Sequence, residues 1–270
     1  MKTTPDLEAL VDELLQARKY RGLNLPRETV HDLLEREMAH ARTPKDALQA
    51  VRQKLHNLVA PYLGDPDYGA AAAALDAAFE AGPAAVKTAC IDLLSAHAST
   101  RERIPILEDF YTGLFAVTGR PEEVLDLACG LNPFAWPWMG LPADTRYHAC
   151  DLHGPRVALI NHYFSLQGLA PLAEAGDILV NPPQIEAPVA FFFKEAHRFE
   201  QRRRGACREF IQALRVRWLL VSLPSENLTH QHSLVERHRH LVEEMLDGLP
   251  YKVTERIFPG EMVFCIDRHG

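Results

Sequence analysis

From Leu7 to about Phe115 apolar residues recur at three- and four-residue steps, as in Leu7, Leu10, Val11, Leu14 and Leu15 and again in Leu48, Val51, Leu55 and Leu58. That period puts them on one helix face, so the first part of the chain reads as a series of amphipathic helices. Its breaks carry turn chemistry. Asn24-Leu25-Pro26 separates the first two helices, Thr43-Pro44 supplies an N-cap followed by proline at the first helical position, and Gly64-Asp65-Pro66-Asp67 closes the third. Ala70 to Ala78 is a helix-prone alanine run, and Gly82-Pro83 opens another short helix.

The pattern changes near residue 120. Val124–Leu127, Tyr147–Cys150, Val189–Phe193, Val216–Ser222 and Met262–Ile266 are apolar runs of strand length, separated by the helical segments Pro155–Leu166, His197–Leu214 and Leu234–Leu246. Strands alternating with helices predict a mostly parallel, doubly wound sheet. Tyr251–Phe258 and Met262–Ile266 are joined only by Pro259-Gly260, which predicts an antiparallel hairpin at one side of it. The expected class is α/β, a Rossmann-like domain preceded by an all-α domain, and the hairpin ending resembles that of class I S-adenosylmethionine (SAM)-dependent methyltransferases.

Composition changes this picture little. The chain has 270 residues, 47% hydrophobic, enough for one large core or two modest ones. No run of about 18 apolar residues and no basic-then-apolar leader stands in it, so a cytoplasmic protein with no membrane partner is expected. Five scattered cysteines, without a CxxC pair, point to reduced buried thiols and no metal. His230 and His232 lack a third ligand. The net charge of −7 argues against a nucleic-acid partner only if charge is evenly spread. It is not: Lys19, Arg21, Arg27, Arg52 and Lys54, and later Arg198, Arg202, Arg203 and Arg204, are local concentrations that are either solvated helix faces or phosphate contacts.

The chemistry concentrates in Val124-Leu125-Asp126-Leu127-Ala128-Cys129-Gly130-Leu131-Asn132-Pro133. Ligands of such sheets lie across the carboxyl ends of the strands. Gly130 lets the backbone approach the ligand, and Asn132-Pro133 starts the next helix. Asp151 ends the second strand, where a carboxylate can accept ribose hydroxyls. Asp177, a further 26 positions on, stands where an acid can accept an adenine amino group. Singly, each is as consistent with a cap or turn. The turn has one glycine rather than the spaced three that seat a pyrophosphate, which favours SAM over NAD.

Lys19-Tyr20-Arg21-Gly22-Leu23, Lys54-Leu55-His56 with Tyr62, His97-Ala98-Ser99-Thr100-Arg101-Glu102-Arg103, the Gly-Leu-Asn-Pro of the strand motif and Gly260-Glu261-Met262-Val263-Phe264 follow one another in the order and spacing of one family. Together they resemble the aminoglycoside-resistance 16S rRNA (guanine-N7)-methyltransferases of the decoding site. The resemblance implies a helical domain, residues 1–103, that docks on the 30S ribosomal subunit, and a SAM-binding domain, residues 104–270, acting as a monomer. It implies cofactor contacts from Tyr62, His97, Ala98, Ser99, Thr100, Arg101, Glu102, Arg103, Ala128, Gly130, Asp151, Asp177, Ile178 and Phe193, with Arg101 or Arg103 on the methionyl carboxylate. It makes Lys19, Arg21, Arg27, Arg52, Lys54, Arg198, Arg202 and Arg203 the RNA contacts.

The implied reaction asks little of the site. Guanine N7 carries an exposed lone pair and no proton, so no general acid or base is expected, only alignment of a flipped-out base. Glu261 is a candidate for electrostatic support of the cationic product, or a plain hairpin residue. Trp136 and Trp138 are read as packing residues.

Two departures from the family stand out. Ser225 to Leu234 contains no Lys or Arg where the family has a basic loop, and Glu195-Ala196-His197-Arg198 replaces an apolar stretch. Two other readings compete. Asn181-Pro182-Pro183-Gln184 resembles the motif of amino-group methyltransferases, although it comes only 55 residues after Asp126, about one strand early, and Gln184 replaces the stacking aromatic. A degenerate homologue that binds SAM or RNA without transferring a methyl group is the other.

Overall fold

The computed structural model describes residues 6–60, 65–225 and 234–269. Three helices come first, α1 (Leu7–Gln16), α2 (Arg27–His40) and α3 (Pro44–Val59). Thr43 caps α3 by accepting from Asp46 N, with Pro44 behind it, as the sequence predicts. Their apolar stripes meet in a core of their own, built on Val11, Leu14, Val30, Leu34, Val51 and Leu55.

Helices α4 (Tyr68–Ala81), α5 (Pro83–Ala96), α6 (Ala98–Arg101) and α7 (Leu107–Thr118) follow. Buried Leu75, Cys90, Leu94, Phe110 and Leu114 of these helices pack with the sheet rather than with α1–α3. Apolar packing thus separates α1–α3, which end near residue 60, from the helices that share the core of the sheet.

The sheet has seven strands in the order β3-β2-β1-β4-β5-β7-β6. They are β1 (Glu123–Leu127), β2 (Arg146–Asp151), β3 (Ala173–Ala175), β4 (Glu186–Phe193), β5 (Arg215–Pro224), β6 (Lys252–Phe258) and β7 (Glu261–Asp267). β1 to β5 are parallel, and β7 runs antiparallel to β5 and β6, closing the predicted hairpin through Gly260 at φ +76°. β1 and β4 are nearly continuous apolar runs because both faces are covered. One face carries α4, α5, α7, α8 (Trp136–Met139) and α9 (Gly154–Leu166); the other carries α10 (Ala196–Arg202), α11 (Ala206–Ala213) and α12 (Val235–Leu246).

Three expectations need correction. β3 escaped the sequence reading because Ala-Glu-Ala has neither length nor alternation. The helix expected over His197–Leu214 is two, broken at Arg203-Arg204-Gly205 where Gly205 sits at φ +78°. Asn132-Pro133 starts only a short 3-10 turn, Asn132–Ala135, before one turn of α8. Trp136 lies edge-on to Tyr147, and it and Trp138 pack against the core, as expected.

Candidate cofactor and substrate site

A cavity of about 560 Å³ opens over the carboxyl ends of β1, β2 and β4, a size suited to a cofactor. Its floor is the turn after β1, where Ala128 at φ +50° and Gly130 at φ +56° bend the chain back. Asp126, although it opens the motif, is not on the cavity wall. It is buried, accepts from Asn132 Nδ2 at 2.9 Å and Tyr147 Oη at 2.7 Å, and burial raises its carboxyl to about 7. Its work is to hold the turn.

Asp151 does face the cavity. One oxygen accepts from Gly130 N at 2.9 Å and Arg156 Nη1 at 3.0 Å, the other from His153 N at 2.9 Å. The second oxygen thus keeps acceptor capacity for a ribose hydroxyl. Arg156, which sequence reading missed, also forks onto Asp65 at 2.7 and 2.8 Å. Burial works against the Asp65 charge, but His153 and Arg156 hold that carboxyl down at about 2.

Asp177, on the wall beside Ile178, is heavily engaged. Oδ1 accepts from Leu179 N at 3.1 Å and Val180 N at 3.4 Å, while Oδ2 takes Thr29 Oγ1 at 2.8 Å and Arg202 Nη1 at 2.6 Å. The long Val180 contact is the one an adenine amino group would replace most easily. Leu33, Lys54, Asn57 and Leu58 of α2 and α3 complete this side, so the N-terminal helices form part of the cavity wall.

At the other end Arg103 is buried and fully framed. Nε and Nη2 fork onto Glu261 at 3.2 and 2.5 Å, Nη1 donates to Asn132 Oδ1 at 2.7 Å, and the guanidinium lies 4.3 Å from the Phe110 ring centroid and 4.6 Å from that of Phe193. Two N–H donors remain for a carboxylate. Arg101 is exposed, bonds Ser95 O at 3.3 Å and is not on the cavity wall, whereas Arg103 is. Ala98 is not on the cavity wall either, and Tyr62 lies outside the described residues. His97, Ser99, Thr100, Glu102 and Phe193 line the wall. His97 bonds Ser99 Oγ at 2.7 Å, and burial, aided by Arg156, pushes its imidazole down to about 4, so it is neutral at pH 7.

Glu261 does not reach the cavity. It is buried, with Lys194 Nζ at 3.3 Å besides Arg103; burial would raise its carboxyl, but the two cations hold it below the usual range. Any influence on the product passes through Arg103 and Lys194. Lys194 in turn donates to Glu102 at 2.7 Å and Ser99 O at 3.2 Å.

Most of the basic residues expected on RNA already hold acids. Arg27 pairs with Glu8 and Asp12, Arg52 with Glu13, Lys54 with Glu37 and Arg203 with Glu209, whereas Lys19 bonds His56 and Arg21 is exposed. Exposed pairs of this kind are weak and can be exchanged for phosphate. Arg202, held by Asp177 and by Asp32 at 3.3 Å, is a structural bridge instead. Asn181-Pro182-Pro183-Gln184 follows β3, not β4, and Asn181 is absent from the cavity wall, which removes the geometry an amino-group methyltransferase needs. The segment without Lys or Arg lies mostly outside the described residues.

The family model described as "Ribosomal RNA methyltransferase (FmrO)" matches residues 16–256. The chain is 34% identical over 222 residues to a 16S rRNA (guanine(1405)-N(7))-methyltransferase of Frankia casuarinae, covering 80% of this chain and 78% of that one. It is 32% identical over 273 residues to the protein of that name from Micromonospora rosea, covering 98% and 100%. Among solved structures it is similar to the 16S rRNA methyltransferase RmtF in complex with S-adenosyl-L-homocysteine, with TM-score 0.80, 28% identity and coverage of 98% and 99%. It is also similar to the 16S rRNA methylase RmtB, with TM-score 0.79, 27% identity and the same coverage.

Proposed function

The chain belongs to the FmrO family of ribosomal RNA methyltransferases, and from that premise we infer that it methylates N7 of a guanine in 16S rRNA, the guanine 1405 of its relatives, with SAM as donor. The observation that carries this reading is the cavity at the ends of β1, β2 and β4, which offers one partner for each part of the cofactor. Arg103 presents its two remaining donors to a methionyl carboxylate, Asp151 its less engaged oxygen to a ribose, and Asp177 with Ile178 an acceptor and an apolar surface to adenine. Bound SAM supplies a methyl group on a sulfonium, electrophilic without further activation. The residues of the chain therefore have no proton to move, and they align and exclude water. His97, held neutral, adds no competing positive charge.

The subunit-docking surface is proposed to be α1–α3, whose exposed Lys19 and Arg21, with Arg27, Arg52 and Lys54, can trade acids for phosphates. The substrate is proposed to be the assembled 30S subunit, methylated in the cytoplasm by a monomer, with aminoglycoside resistance as the consequence. Among the described residues no helix is long and apolar enough to cross a membrane. The test is tritiated SAM offered with 30S subunits, naked 16S rRNA and 50S subunits side by side. Label in 30S subunits alone is expected, with strand scission at one guanine after reduction and aniline; equal label in all three defeats the reading.

A further inference from the structure

The cofactor half of the cavity is supplied by the ends of β1, β2 and β3, so an acceptor base has to stand over β4 and β5, the next strands across the sheet. Polar side chains just past the end of β4 are Lys194 and Glu195. Lys194 is committed to Glu102, Glu261 and Ser99 O. Glu195 lines the cavity with its side chain 23% exposed, and among the described residues its carboxylate has no hydrogen bond, only Arg198 at 3.6 Å. A carboxylate set in a cavity wall with no hydrogen bond to either oxygen, and one oxygen only loosely paired, is costly unless a ligand completes it.

Two carboxylate oxygens match two adjacent, parallel N–H donors. Of the four RNA bases only guanine offers that pair, at N1–H and N2–H. Adenine and cytosine place a lone pair beside a single amino group, and uracil flanks its one N–H with carbonyls, so each would set acceptor against acceptor. Resting on the reading of this site as a guanine-N7 methyltransferase, we propose that Glu195 reads the flipped-out target base, its two oxygens accepting N1–H and N2–H while N7, on another edge, faces the methyl donor.

In the transfer, the N7 lone pair forms the new N–C bond and the S–C pair returns to sulfur, giving a thioether and a cationic 7-methylguanine. Glu195 gives up and takes no proton. Positive charge spreads over the ring as the methyl arrives, the N1–H becomes more acidic, and its bond to Glu195 strengthens, so the contact is worth more in the transition state than in the ground state.

The experiment compares the full-length protein with E195A, E195Q and E195D, measuring S-adenosylhomocysteine binding by calorimetry and tritium transfer to 30S subunits at saturating SAM. Expected are unchanged S-adenosylhomocysteine affinity and, for E195A, a kcat/KM on the subunit lower by about 30-fold or more, the scale of one lost bidentate base contact. E195D recovers part of it. Burial raises the Glu195 carboxyl to about 7, against Arg198 on its own helix and Arg156 on α9, and with Asp151 and Asp177 from the ends of β2 and β3. The wild-type kcat/KM is therefore expected to rise with pH through about 7, and E195A to lack that limb. Undiminished transfer by E195A overturns the proposal. So does a loss of S-adenosylhomocysteine affinity that matches the loss of transfer, which would give Glu195 to the cofactor. If E195A melts early, the isosteric E195Q decides by the same readouts. No label in 30S subunits with the wild-type protein would instead overturn the underlying functional reading.

Discussion

Thr29 Oγ1 lies 2.8 Å from Asp177 Oδ2, so a hydroxyl of the N-terminal helices is bonded to the acid proposed to face adenine. Arg202 doubles the link by reaching both Asp177 and Asp32 of α2. The two layers of the molecule are fastened together at the cofactor cavity itself.

T29V keeps the side-chain shape and removes the donor, leaving Asp177 one bond short in a buried position. We expect a loss of about 1–2 kcal/mol in stability together with weaker S-adenosylhomocysteine binding, both recovered by T29S. Urea unfolding and calorimetry check this, and an unchanged affinity in T29V would separate the clasp from the cofactor. Because coupling is reciprocal, saturating S-adenosylhomocysteine should also slow hydrogen exchange in α2.

Arg103 and Arg101 stand two positions apart in one motif and should behave oppositely. R103A leaves the buried Glu261 carboxylate with Lys194 as its one remaining cation among the described residues and is expected to cost about 3 kcal/mol and to abolish S-adenosylhomocysteine binding. R103K keeps a charge that cannot fork onto Glu261 and reach Asn132 at once, so it should fold and still bind poorly. R101A, at an exposed site, should melt and bind like the wild type.

These contrasts mark how far the sequence could be read. Apolar period alone placed α1, α3 and the long strands, and the acids Asp151 and Asp177 were legible because a carboxyl end of a strand is where a doubly wound sheet holds its ligand. The Thr29–Asp177 bond was not, since its partners are 148 positions apart and neither has a local signature. Nor was the difference between Arg101 and Arg103, which depends on which side of a single turn faces Glu261. The departure at Glu195 was visible as a change of polarity, but its open carboxylate emerges only from the partners of Lys194 and Arg198. Basic residues were the least legible, because a lysine or arginine in sequence says nothing about the acid that already holds it.

Asp126 should make stability depend on pH. Its carboxyl is raised from 3.8 to about 7 by burial, although Asn132 and Tyr147 oppose the rise, so the folded protein binds this proton more tightly than the unfolded chain. The contribution of this group is thus greatest at low pH and falls as pH rises from about 4 to about 7, then stays level. D126N, which cannot ionise, should gain about 2–3 kcal/mol relative to wild type between pH 5 and pH 8, measured by denaturant unfolding at the two pH values. A constant difference would show that Asp126 is ionised throughout.

Arg21 and Arg202 test whether the basic residues divide as the ion pairs suggest. Arg21 is exposed on the N-terminal helical layer, whereas Arg202 is 12% exposed between Asp177 and Asp32. A phosphate contact releases counterions, so R21A should weaken 30S binding at every salt concentration and lower the slope of log affinity against log salt by about one. Its S-adenosylhomocysteine affinity should not change. R202A removes no accessible charge; it leaves two carboxylates facing each other and should lower the melting temperature and cofactor affinity while keeping the salt slope. Filter binding across a salt series, with calorimetry on the same proteins, reads both. If R202A flattened the slope and R21A did not, the docking surface would lie along α10 rather than on α1–α3, and the cavity mouth itself would be the ribosome contact.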